Sequence, residues 1–261
     1  MSSKIRIMSY NFATWFGADG RGINNFVHRV GPIIEKFFVD KPDIIGFQEV
    51  TGRQIIYLER MLPEYSFVGQ FRDADFGGEG LFIAVKKELF QILAFNTFWL
   101  SPTPYEPGTR FEGQSDCPRI CNVVRLLHKE TKTVFRVFNT HLDHIGEEAR
   151  VKGISCVLEE VKRLNEIAPF PVIITGDMNA VPQSKAMTMC REFEPVHLTD
   201  ATADFKTTFH DFGARENIKI DYIYMSDEFS SRITETGMWT DEKNGCYLSD
   251  HYPIWAEVEL D

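Results

Sequence analysis

The chain has 261 residues, of which 43% are hydrophobic and 25% charged, a globular balance that excludes a disordered, collagen-like or simple coiled-coil protein. Its 28 Lys and Arg against 38 Asp and Glu leave a formal net charge of −10. A protein that grips duplex DNA through its phosphates carries the opposite balance, so duplex DNA is disfavoured as a partner, while a small or single-stranded phosphate ester is compatible.

The predicted elements alternate between strand and helix. Residues 4–11 (KIRIMSYN) alternate apolar and polar side chains, the pattern of a half-buried strand. Residues 23–40 place Phe26, Val30, Ile33, Ile34 and Phe37 at helical spacing, with Asn24 or Asn25 as N-cap and Pro32 predicting a kink or a late start. A short strand at 43–47 ends at Gln48-Glu49, and 51–62 reads as a helix closed by Pro63. Residues 80–86 and 90–100 are expected to pair as strands, and so are 120–128 and 134–139. A long amphipathic helix spans 146–168, a buried strand 172–175 and a further helix 182–193. Strands at 220–225, 233–240 and 254–260 close the chain.

Two stretches share one plan. A strand ends at Asn11, a helix follows, and the next strand reaches Glu49; another ends at Asn139, a helix follows, and the next reaches Asp177. This predicts a single α/β domain over residues 1–261, with two sheets packed face to face, helices on the outer faces and polar residues gathered where strands stop. Residues 101–118, rich in Pro and Gly, read as a long surface loop within that domain. The five cysteines are scattered, and Cys117 and Cys121 lack a second ligand pair for zinc, so reduced thiols and a cytoplasmic setting are expected. The opening MSSKIRIMSYN shows no signal peptide, and no stretch is long and apolar enough to span a membrane.

Five segments place Asn, Asp, Glu or His where an apolar strand stops: Asn11, Gln48-Glu49, residues 139–144 (NTHLDH), residues 176–179 (GDMN) and residues 249–253 (SDHYP). Singly, each reads as a turn or a helix cap. Together they supply oxygen ligands for a hard cation such as Mg²⁺, and histidines able to orient or stabilise a charged transition state. Such a set suits phosphoester hydrolysis.

These segments, with Ser-Tyr-Asn at 9–11, Phe-Gln-Glu at 47–49 and Ile-Asp-Tyr-Ile-Tyr at 220–224, resemble the endonuclease/exonuclease/phosphatase superfamily in order and across nearly the whole chain. The loop that runs into Cys117-Pro118-Arg119-Ile120 is similar to a bacterial branch near the deadenylase and nocturnin-like group. The resemblance implies a DNase I-like, four-layered α/β sandwich and Mg²⁺-dependent hydrolysis of a phosphodiester or phosphomonoester, with Mn²⁺ as an alternative ion. By that resemblance Glu49 is the principal metal ligand, with Asn11 beside it and Asp250 on the metal side. Asp177 orients or deprotonates the attacking water, and Asn179 holds that water or a phosphate oxygen. His141 contacts the phosphate and protonates the leaving group. His251, paired with Asp221, stabilises the charge that develops on phosphorus.

Other residues have two readings. Arg119 reaches a substrate phosphate or carboxylate, or pairs with a site acid. His144 faces the cleft or solvent. Glu79 contacts substrate or caps a turn, and His210 lines the cleft floor. Asp143 reads as a capping or turn residue. Trp99, Phe111 and Trp239 read as core rather than as stacking platforms. Two further functions stay in view. One is a nuclease acting on single-stranded or abasic nucleic-acid ends; the other is a non-catalytic binding module, which predicts no metal-dependent turnover.

Overall fold

The computed structural model describes residues 3–17, 20–215 and 218–260; Met1, Ser2 and Asp261, at the ends of the expected domain, lie outside the described residues. The first sheet contains β1 (Lys4–Asn11), β2 (Ile44–Thr51), β3 (Tyr65–Phe71), β4 (Glu79–Lys86), β11 (Ile233–Met238) and β14 (Ile254–Glu259), in the order β11-β14-β1-β2-β4-β3. The second contains β5 (Phe90–Trp99), β6 (Ile120–His128), β7 (Val134–His141), β8 (Val172–Asp177), β9 (Leu198–Asp200) and β10 (Asp221–Ser226), in the order β5-β6-β7-β8-β10-β9. A small hairpin, β12 (Glu242–Lys243) with β13 (Cys246–Tyr247), stands apart. The helices are α1 (Phe26–Asp40), α2 (Gly52–Met61), α3 (Glu147–Ile167), α4 (Lys185–Arg191) and the single turn α5 (Asp227–Ser230).

Three apolar layers separate four structural ones. Ile5, Ile7, Ile44, Val124, Val137, Ile173 and Ile223 pack between the sheets. Tyr10, Ile45 and Phe47 turn outward onto Phe26, Ile33 and Phe37 of α1 and Ile55 and Leu58 of α2. Phe138, Ile174 and Tyr222 turn outward onto Ile154, Val157 and Val161 of α3 and Met187 of α4. The expected four-layered sandwich of two mixed sheets is therefore the observed one.

Period-two alternation then aims the site. Along β1 the inner face reads Ile5, Ile7, Ser9, Asn11; along β7 it reads Phe135, Val137, Asn139, His141; along β8, Ile173, Thr175, Asp177; and along β10, from the far end, Met225, Ile223, Asp221. Each strand is apolar in the middle of the sandwich and polar at one common end. Just below that end a buried polar network ties the sheets. Asn139 Nδ2 donates to the Phe47 carbonyl at 2.8 Å, while its Oδ1 accepts from Gln48 Nε2 at 2.7 Å and Thr175 Oγ1 at 3.2 Å. Gly46 leaves the room this network needs, because a methyl group there would overlap Thr175 Oγ1 and come within 2.7 Å of Asn139 Oδ1.

Several details differ from the sequence expectation. Residues 80–86 and 90–100 are strands but do not pair: β4 bonds to β2 and β3, and β5 bonds to β6 in the other sheet. The short connection between them carries the chain across the sandwich rather than back along one sheet. Strand β3, unread in the sequence, occupies the sheet edge. Helix α1 begins at Phe26, where Asn25 Oδ1 accepts from Val27 N at 3.2 Å, and runs unbroken through Pro32. Helix α4 is shorter than expected because Ser184 caps it. The strand–helix–strand plan holds in both halves, with β1 parallel to β2 and β7 parallel to β8. Equal spacing does not mark equal positions, however: Asn11 pairs with Gln48, whereas Asp177 pairs with His141.

Candidate active site

The common polar end opens into a cleft of about 640 Å³ whose walls include Glu49, Arg72, Glu79, Arg119, His141, His144, Asp177, Asn179, Asp250 and His251. In the second sheet, registry sets His141 beside Asp177 and Asp177 beside Asp221. In the first sheet Asn11 and Glu49 come from neighbouring strands, and Asp250 and His251 precede β14.

Strict alternation would turn Glu49 outward, away from the cleft. The β2–β4 register shifts between Phe47 and Val50, and Glu49 has φ of 58°. A bulge of this kind adds a residue and re-aims the next side chain. Glu49 thus reaches the cleft through a local break in the sheet, held by two hydrogen bonds. Its Oε1 accepts from Asn11 Nδ2 at 3.1 Å and its Oε2 from Thr14 N at 3.1 Å. Asn179 is likewise left-handed, with φ of 47°, a conformation Asn tolerates better than most residues.

Asn11 bridges the two sheets' acids. Its Nδ2 also donates to Asp177 Oδ2 at 3.0 Å, and its Oδ1 accepts from Ala13 N at 3.1 Å. The sequence grouped Asn11 with the metal ligands, but here its oxygen is turned back onto the chain and its nitrogen holds two carboxylates together. Asp177 Oδ1 accepts from Asn179 N at 2.8 Å. His251 Nδ1 lies 2.8 Å from Asp221 Oδ2, and His251 Nε2 lies 3.7 Å from Asp177 Oδ2.

Electrostatics separates the two histidines. Burial pulls the His251 imidazole down, but the charges of Asp221, Asp177 and Asp250 overcome it and hold the ring well above its ordinary value, so it is cationic at neutral pH. For His141, burial and then the charges of Arg119 and Arg72 all act downward, so it is neutral. Asn179 Nδ2 donates to the Leu142 carbonyl at 3.1 Å and lies 3.0 Å from His141 Nε2. The same Nε2 lies 3.4 Å from Asp177 Oδ2. Burial lifts Asp177 to about 7, with the His251 charge opposing and Asp221 adding to the rise. Burial also raises Asp250, whose Oδ1 accepts from Ser249 Oγ at 3.1 Å. Glu49 is the exception. Burial pushes it up, but the His251 charge, the Asn11 amide and the Thr14 N–H hold it below its ordinary value.

The donor set fits a hard divalent cation. One oxygen of Glu49, one of Asp177 and a His141 nitrogen all lie within 4.8 Å of one another. Neighbouring carboxylates that raise one another's pKa are what a bound cation relieves. The clustered ligand atoms among the described residues are carboxylates and imidazoles; all five cysteines are free.

The remaining sequence candidates divide. Glu79 pairs with Arg72 Nη1 inside the cleft, and burial together with the Glu49 charge raises it to about 7. Arg119 is buried at 4% exposure; its Nη2 lies 3.0 Å from His144 Nδ1, and it makes no ion pair with a site acid among the described residues. His210 does not line the cleft. It is buried beneath it, stacked on Tyr252 at 4.0 Å between centroids, and accepts from Gly213 N. Asp143 accepts from Ser115 and from the N–H groups of Ile145 and Gly146, tying the long loop to the start of α3. Trp99 and Trp239 are core. Sequence reasoning missed Arg72, which follows the unread strand β3; the alternation in YSFVGQF was the available signal.

A family model described as the endonuclease/exonuclease/phosphatase family matches residues 14–251. The chain belongs to this family. Its members hydrolyse phosphoester bonds, so the chain is an enzyme of that class. The fold is similar to the endonuclease/exonuclease/phosphatase from Bacteroides vulgatus, at 28% identity over 99% of this chain and 100% of that one, with a TM-score of 0.90. It is also similar to a mannosyl-6-phosphatase from Bacteroides thetaiotaomicron, at 27% identity over 98% and 100%, with a TM-score of 0.88. The human Nocturnin catalytic domain with bound sulfate shares the fold at 18% identity over 99% and 94%, with a TM-score of 0.76. None of the curated proteins matches the chain. No helix among the described residues is long and apolar enough to cross a membrane.

Proposed function

We propose that the chain is a Mg²⁺-dependent phosphoesterase, with Mn²⁺ able to substitute, that hydrolyses a small phosphate ester by in-line attack of water. The observation that carries this reading is the convergence of Glu49, Asp177, Asp250 and the Asp221–His251 pair on one cleft from four separate strand ends and loops. Glu49 and Asp250 would hold the cation from the first sheet, with Asn11 fixing Glu49 against Asp177. When bound, the ion polarises a phosphoryl oxygen and neutralises charge on it.

The chain's own groups do the rest. Asp177, lifted to about 7 by burial, is suited to orient a water and take its proton near neutral pH. His251 presents a fixed positive charge to the phosphoryl oxygens, where charge builds as the bond forms. Asn179 and His141 form a hydrogen-bonding pair beside that site, Asn179 to hold the water or a phosphate oxygen and His141 to contact the phosphate and serve the leaving group. The acidic net charge and the cleft's size support a small substrate over a duplex, and the mannosyl-6-phosphatase among the similar structures supports a monoester. The free cysteines suit a reducing, cytoplasmic setting.

Asp177→Ala is expected to abolish Mg²⁺-dependent phosphate release while leaving a cooperative thermal transition. Turnover like that of the wild type would refute the assigned role.

A further inference from the structure

The cleft carries an arginine pair, Arg72 and Arg119, away from its cluster of acids. One end holds Glu49, Asp177 and Asp250, with His251 matched to Asp221; Arg21, whose charge acts on Asp250, and Arg215, paired with Asp211, also line the cleft. Its other end holds two guanidinium groups and one carboxylate. Arg72 follows β3, Glu79 opens β4, and Arg119 precedes β6. Arg72 pairs with Glu79, and the Arg72 N–H donates to the Glu79 carbonyl at 3.0 Å. The Trp99 indole donates to the Arg72 carbonyl at 2.7 Å, which fixes the backbone from the core side.

Arg119 has no such carboxylate. It is 96% buried, and its Nε and Nη1 have no hydrogen-bond partner among the described residues, nor has Arg72 Nε. Burial and the neighbouring Arg72 charge both press its pKa downward. A desolvated guanidinium with unmatched N–H groups is unfavourable unless an anion meets it. Arg72 lies 3.9 Å from the Asp73 carboxylate as well, so Arg119 is the guanidinium at this end left without a carboxylate partner among the described residues. Arginine's planar fork suits a phosphate or carboxylate more than a hydroxyl.

Strand order places the bases of these two side chains to one side of the acids, although the Arg119 charge still reaches His141 and Glu49. Arg119 stands at β6, two strands from Asp177 on β8; Arg72 stands at β3, two strands from Glu49 on β2. At ~4.8 Å between strands, each basic group is based about 10 Å from the acid of its own sheet. The cleft spans both ends.

We propose that the basic end is a second anion subsite, and that the substrate carries a further phosphate or carboxylate besides the ester that is cleaved, bound by Arg119 and Arg72 with His144 against Arg119. The substrate class rests on the phosphoesterase reading; the anion subsite does not.

Three compounds sharing one hexose 6-phosphate ester test it: glucose 6-phosphate, with no second anion; 6-phosphogluconate, with a carboxylate; and glucose 1,6-bisphosphate, with a phosphate. Phosphate release with Mg²⁺ is expected to show kcat/KM at least tenfold higher for one or both two-anion compounds, and which of them is preferred identifies the second anion. Arg119→Gln and Arg72→Gln are expected to lower kcat/KM for the preferred compound at least tenfold more than for glucose 6-phosphate. Arg119→Lys, which keeps the charge and loses the fork, is expected to restore part of the preference. Thermal unfolding checks that each variant folds. Equal treatment of the three compounds by the wild type, or a proportional loss on all three in Arg119→Gln, would overturn the subsite. Binding separates this from failure of the phosphoesterase reading. If no compound is turned over, calorimetry still decides: Arg119-dependent tighter binding of a two-anion compound sustains the subsite and removes the small sugar-phosphate substrate reading, whereas equal or absent binding of all three overturns the subsite.

Discussion

Replacing Asp221 by Asn tests the charge on His251. Asp221 and His251 are 2% and 5% exposed, and their contact is 2.8 Å. The carboxylate is the largest influence holding the imidazole up against burial. Removing one partner of a buried pair costs roughly 3–5 kcal/mol if the other stays charged. His251 avoids that cost by losing its proton at neutral pH. The phosphoryl oxygens then lose a fixed positive charge, a deficit of about 3–4 kcal/mol in the transition state, or roughly 10²–10³ in kcat. A raised histidine contributes stability that is fully present below its unfolded value of 6.5 and is lost as pH rises through its folded value. The same proton is what the variant gives up. Steady-state rates of wild type and Asp221→Asn measured from pH 5.5 to 8 should therefore diverge, with the deficit widening toward pH 8. A variant within threefold of wild type and with an unchanged pH profile would refute the reasoning.

Asp177 offers a stability test of opposite chemistry. Its carboxyl is raised from 3.8 to about 7, so its contribution is present below 3.8 and lost as pH rises through about 7. At 1.36 kcal/mol per pH unit the loss reaches roughly 4 kcal/mol. In EDTA, Asp177→Asn should gain thermal stability relative to wild type between pH 5 and pH 8, and a difference flat with pH contradicts it. Glu49→Gln should remove the stabilisation that Mg²⁺ gives the wild type, ~2.7 kcal/mol at a hundred times Kd, read as a thermal shift. Gly46→Ala should destabilise by at least about 1–3 kcal/mol in urea unfolding, because the new methyl meets Thr175 and Asn139 at the joint between the sheets; a midpoint like that of the wild type would show that the network yields.

The inner-face residues were legible because alternation is local. In β1, β7, β8 and β10 the same two-residue period that buries Ile7, Val137, Ile173 and Ile223 brings Asn11, His141, Asp177 and Asp221 to one end. Glu49 was legible by type but not by direction, since its aim depends on a bulge and a left-handed φ that the letters FQEV do not specify. The pairing of 80–86 with 90–100 failed because neighbours in sequence here belong to different sheets. Missing β3 hid Arg72, and with it the partner of Glu79. The states of the histidines were beyond reach, because His141 and His251 differ in the charges around them and not in their own sequence signals.

The most direct measurement is phosphate release from p-nitrophenyl phosphate and its bis ester by the wild type and by Glu49→Gln, each with Mg²⁺ and with EDTA. Turnover by the wild type with Mg²⁺, reduced at least a hundredfold by chelation and by the substitution alike, is the predicted result. Equal turnover with and without the ion, or an undiminished rate in Glu49→Gln, would contradict a cation-assisted site built on Glu49.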